Sequence, residues 1–121
     1  AKISRTSYGT EQLSAGTLAD GKVEVLYDMS DENDFSVSTT KDFIDKNADS
    51  IVSGKLAQSE LEFKVPGSDK IADISNMDVS TSAVYKALAA GKLPRGILSG
   101  IKALGPEELS VTNGVIRMWW D

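Results

Sequence analysis

The C-terminal stretch LSVTNGVIRMWW, residues 109–120, constrains the fold more than any other feature of the chain. Asn-Gly between two alternating runs is a strong signal for a two-residue hairpin, because that turn needs positive φ at its central residues. If Thr112 pairs with Val115, then Leu109, Val111, Ile116, Met118 and Trp120 share one face, and Ser110, Arg117 and Trp119 share the other. The first set is a core face. The second puts Arg117 and Trp119 side by side on the opposite surface, and both residue types are enriched at the hot spots of protein interfaces.

A lone hairpin is marginal in water, so the rest of the chain must cover it. At 121 residues the chain is long enough for one core and too short for two, which predicts a single domain over residues 1–121. A second hairpin is expected at Asp20-Gly21, with Leu18 opposite Val23 and Gly16 opposite Val25. Val23, Val25 and Tyr27 would then lie on one face with Leu13 and Leu26 on the other, a sheet covered on both sides. Ile3 to Tyr8 reads as an edge strand, and Phe35 to Val37 as a short strand. Thr39 opens a helix with capping-box spacing to Asp42. Its stripe runs through Phe43, Ile44, Ala48, Ile51 and Val52 to a left-handed cap at Gly54. Glu60 to Val65 alternates as a strand closed by Pro66-Gly67, and Ile71 to Ile74 reads as another. Two more helices follow, one from Ser80-Thr81 to Gly91 and one from near Pro94 to Gly105-Pro106. The fold class is α+β: a mostly antiparallel sheet of five to seven strands with about three helices.

The chain contains no histidine and no cysteine. This removes the usual general acid–base side chain near neutral pH, the thiolate nucleophiles and the commonest zinc and iron ligands. No cofactor-binding loop stands out either. Gly91-Lys92 lacks the upstream glycine and the following Ser or Thr of a phosphate loop. No cofactor, no metal and no catalytic residue are therefore assigned. No apolar run reaches the roughly 20 residues needed to cross a bilayer, and the first residues lack a signal-peptide core, so a soluble, cytoplasmic protein is expected.

Charge is the remaining lead. Asp28 to Ser36 reads DMSDENDFS. As a twelve-residue calcium loop it fails at its last position, where Thr39 stands in place of a bidentate Glu. As an exposed acidic surface it needs no special geometry to attract a basic partner, which nominates Asp31, Glu32 and Asp34. Conversely, Val79 to Pro106 holds Lys86, Lys92, Arg95 and Lys102 and no acid, in a chain with 18 acids to 13 bases.

The order helix, strand, two helices and terminal hairpin over the last two-thirds of the chain is similar to that of winged-helix proteins. The helix–glycine turn–helix of Val84 to Ile101 resembles their helix–turn–helix. That resemblance implies nucleic-acid binding by the basic segment 80–106, through Lys86, Lys92, Arg95 and Lys102. The chain departs from the pattern at Gly100, where an apolar core residue is expected, and in a hairpin tip without a base. The absence of catalytic chemistry favours a different expectation: a small acidic domain that binds another protein through Arg117, Trp119, Asp31, Glu32 and Asp34. Inhibitor, immunity, adaptor and chaperone-like roles all fit this description, and no membrane partner is expected.

Overall fold

A computed structural model describes residues 4–8, 21–26, 28–75 and 81–121. The protein is an α+β domain; among the described residues, three α-helices cover one face of a six-stranded sheet. The strands are β1 (Ser4–Tyr8), β2 (Lys22–Leu26), β3 (Ser53–Ala57), β4 (Glu60–Lys64), β5 (Glu108–Thr112) and β6 (Val115–Trp119). Their spatial order is β1-β2-β3-β4-β6-β5. β1–β2 and β2–β3 are parallel pairs, whereas β3–β4, β4–β6 and β6–β5 are antiparallel.

The terminal hairpin follows its turn chemistry. Thr112 pairs with Val115, Asn113 has φ 50° and Gly114 has φ 80°. Leu109, Val111, Ile116, Met118 and Trp120 are all buried. Across the sheet, Val23, Gly54, Phe63, Ile116 and Val111 form one inward row, and Val25, Leu56, Leu61, Met118 and Leu109 the next. Against them pack Phe43 and Ile44 of α1 (Val37–Lys46), Val84 and Leu88 of α2 (Thr81–Ala90), and Ile97 and Ile101 of α3 (Ile97–Leu104). Phe43 meets Phe63 edge to face at 5.7 Å, and Phe35 meets Trp120 at 5.2 Å. The Trp120 indole also donates to the carbonyl of Leu104 at 2.9 Å, satisfying one of the open carbonyls at the end of α3.

Several sequence expectations are corrected. Leu18, expected opposite Val23, lies outside the described residues, as do Leu13, Gly16 and Tyr27. Val23 itself pairs with Arg5 on one side and Gly54 on the other, both in parallel. Gly21 does sit at a turn (φ 73°), but its N–H donates to Val52 O, which starts β2 beside β3. Phe35 to Val37 is not a strand. Phe35 closes a tight turn with Glu32, and Ser36 caps α1 by accepting from Thr39 N at 3.3 Å, so the cap lies three residues before the expected one.

The far end of that helix also differs. Asn47 donates its side-chain amide to Phe43 O at 2.8 Å and stops α1 after Lys46. A single turn over Ala48–Ser50 then carries the chain into β3. Val52 is 37% exposed, and Gly54 is a strand residue rather than a helix cap. Ile71 to Ile74 contributes one bridge, a reciprocal pair of hydrogen bonds between Ile74 and Val111, instead of a strand. The hairpin does not stand off as a wing, because β6 lies between β4 and β5 inside the sheet.

Gly100 is explained by contact. A Cβ there would fall 2.4 Å from Cε1 and 2.5 Å from Cδ1 of Phe43, whose ring is already held by Phe63. Gly100→Val should therefore drive α3 away from α1 and cost roughly 1–3 kcal/mol. Denaturant unfolding checks this, and a variant as stable as the parent would mean the α1–α3 contact is looser than described.

Candidate functional site

The outer face of the sheet carries the polar alternates of the core rows. One row runs Glu24, Lys55, Glu62, Arg117, Ser110, and the next runs Ala57, Glu60, Trp119, Glu108. The face is closed over on the β2–β3 side, where Leu26, Ser53 and Lys55 are buried, and open toward β4, β6 and β5. Trp119 is half-buried between two glutamates on its neighbouring strands. Arg117 lies on the same face and reaches back to both. Its Nη2 and Nε are 2.6 and 2.8 Å from the same Glu60 carboxylate oxygen, and its Nη1 is 3.8 Å from Glu108. This cross-strand network leaves more carboxylate than guanidinium around an aromatic ring. Such a surface suits lysine and arginine side chains, which pair with carboxylates and stack on aromatic faces.

The acidic loop is drawn to the same end of the sheet. Gln58, in the β3–β4 turn, accepts from Ser30 N at 3.0 Å and donates to Ser30 O at 2.8 Å and to Glu32 at 3.3 Å. Ser59, beside it, accepts from Trp120 N at 2.9 Å. Glu32 and Phe35 exchange backbone hydrogen bonds of 3.1 and 2.9 Å around Asn33, whose φ of 52° is a conformation asparagine tolerates well. Asp31, Glu32 and Asp34 are all exposed. Asp31 also has a structural task, since its carboxylate accepts from Val37 N at 2.9 Å at the start of α1. Among the described residues no three acidic side chains converge as metal ligands would. Two groups of residues that lie far apart in sequence, Asp31–Asp34 and Arg117–Trp119, thus meet at one end of the sheet. Glu60, Glu108 and Gln58 complete that end and were missed in the sequence. Glu108 could have been found by continuing the hairpin register to Trp119, and Glu60 only by knowing that β4 pairs with β6.

The basic residues lie elsewhere. The α2–α3 turn sits at the opposite end of β4, where Gly67 approaches Gly91 and Leu93, and Asn47 approaches Gly96. Lys92 and Arg95 are exposed in that turn, Lys86 is exposed on α2, and Lys102 on α3 stands 6.0 Å from the Tyr85 ring centre. They are spread over two helices and a turn. An open groove of about 530 Å³ between α1 and α3 is lined by Phe43, Asn47, Ser99 and Gly100 among others. A smaller one of about 320 Å³ lies over Glu62, Lys64, Ser110, Thr112 and Arg117 on the outer face.

Glu62 has a distinct protonation behaviour. Partial burial, and then the neighbouring Glu60 charge, raise its pKa above the ordinary glutamate value, against the opposing pull of Arg117 and Lys55. The folded state therefore binds this proton more tightly than the unfolded chain does, and stability falls as pH rises through the folded pKa. Glu62→Gln should melt higher than the parent at pH 8, with the difference closing as pH drops below the ordinary glutamate range. Parallel melts across pH test it, and a variant less stable at pH 8 would reverse the sign.

Compared with known protein families, with curated proteins and with solved structures, the chain matches none. Among the described residues no helix is long and apolar enough to cross a membrane.

Proposed function

We propose that this domain is a non-catalytic binding module that docks a basic protein on the acidic, aromatic end of its sheet. One observation carries the reading: Trp119 stands between Glu60 and Glu108, beside Arg117, with the Asp31–Asp34 turn tied to the same end by Gln58. A half-buried tryptophan supplies contact area at little entropic cost, and the surrounding carboxylates supply steering. The absence of histidine and cysteine supports a binding role over a catalytic one. Inhibitor, immunity, adaptor and chaperone-like roles share this requirement.

The test starts by recovering the partner from native cells and measuring its affinity for the purified domain. Glu32→Ala with Asp34→Ala leaves the Asp31 cap intact and should weaken binding about tenfold at low salt. The difference should narrow as added salt screens exposed charges. Unchanged affinity in that variant and in Trp119→Ala would remove the assignment. Retention of duplex DNA at physiological salt, lost in Arg95→Ala with Lys102→Ala, would favour nucleic-acid binding by the basic segment instead.

A further inference from the structure

The α2–α3 turn holds an open notch of about 340 Å³, lined by Leu88, Leu93, Pro94 and Leu98 together with Lys92 and Arg95. Both cations are exposed, and among the described residues neither pairs with a carboxylate. Lys92 has a left-handed backbone (φ 52°), which suits asparagine or glycine better than lysine. The recess thus has apolar walls, two unpaired cations and no acid in its lining. At the other end of β4 the converse shape is exposed. Glu32, Asn33 and Asp34 form the tip of a turn that Glu32 and Phe35 close with reciprocal backbone hydrogen bonds. Gln58 fixes that turn to the sheet through both backbone groups of Ser30. A turn held in this way loses little freedom when it docks.

We propose that the notch receives the Glu32–Asp34 turn of a second copy of this chain, so that copies associate head to tail. This names the partner of the docking surface proposed above and rests on that reading: the chain itself carries the basic surface its acidic end requires. The two surfaces cannot meet within one molecule, because β4 separates them by its five-residue length, roughly 16 Å. Each copy in such a contact uses one turn or one notch and keeps the other free, so the contact is heterologous and propagates beyond a dimer. The net charge of −5 opposes association only at long range. The centres of two touching domains of this size stand on the order of 30 Å apart. At about 0.15 M salt the screening length is about 8 Å, so the net repulsion is weak while ion pairs in direct contact persist.

Sedimentation of the purified full chain tests this without any other protein. At about 0.15 M salt the weight-average mass should rise with concentration past that of a dimer, and at about 1 M salt, where screening reaches about 3 Å, it should return to the monomer. Two neutralised variants cut the contact from either side: Glu32→Gln with Asp34→Asn removes the turn's charge, and Lys92→Asn with Arg95→Gln removes the notch's. Each alone should stay monomeric where the parent associates. Mixed in equal amounts they should form one-to-one dimers that grow no further, since one supplies an intact notch and the other an intact turn. Association that survives in either variant, a parent mass that stops at the dimer, or a mixture that stays monomeric would overturn the proposal. A parent that is monomeric up to millimolar concentration, yet binds a partner from native cells through Glu32 and Asp34, would also overturn it and leave the docking surface standing.

Discussion

Trp120→Ala is expected to cost about 3–5 kcal/mol and to lower the melting temperature by roughly 10–20 °C. The side chain is 2% exposed, packs on Phe35 and donates its indole N–H to Leu104 O. Truncation leaves a cavity at the end of the core, a carbonyl of α3 without its donor, and Phe35 without its ring neighbour. Phe35 anchors the turn that carries Glu32 and Asp34, so the loss should extend beyond packing. A domain of ordinary stability holds only about 5–15 kcal/mol in total. Calorimetry or denaturant unfolding decides the matter, and a cost below about 1.5 kcal/mol would place Trp120 outside the core.

Trp119→Ala should behave in the opposite way. Its ring lies on the outer face between Glu60 and Glu108, so the free variant should lose only about 1 kcal/mol. Binding of the partner should fall roughly 30-fold, equivalent to about 2 kcal/mol. The neighbouring tryptophans thereby separate folding from recognition. Equal destabilisation by the two truncations would mean the outer face is covered at Trp119, and the docking assignment would fall with it.

What could be read in the sequence was what local chemistry determines. Asn113-Gly114 sets the β5–β6 register without help, and that register already contains Trp119 opposite Glu108. The helices ending at Gly91 and Gly105 were visible for the same reason. β3 was not, because Ser53-Gly-Lys-Leu-Ala57 shows no apolar alternation. It is buried along most of its length, and Gly54 faces the core as bare backbone between Val23 and Phe63. The parallel pairing of β2 with β3 was equally hidden, since it joins segments separated by α1 and leaves no local mark. The site divides along the same line. Arg117 and Trp119 came from the hairpin, whereas Glu60 and the Gln58 tether depend on β4 lying next to β6. Asp31 was read as a recognition residue from charge alone, and its hydrogen bond to Val37 shows how an acid near a helix start can serve the backbone as well.

The position of β6 bears on how the chain must be made. Val115–Trp119 joins β4 to β5, yet among the described strands it comes last in chain order. Until it is synthesised, β4 presents an unfilled edge bearing Leu61 and Phe63, and β5 lacks the strand it turns back upon. The sheet cannot close before this strand is available, so folding of this unit is dominated by distant pairings, which are slow to form. In the interval the nascent chain carries an exposed, partly apolar strand edge of the kind that recruits other chains. Loss of β6 would therefore be felt first as aggregation, before any loss of binding could be measured.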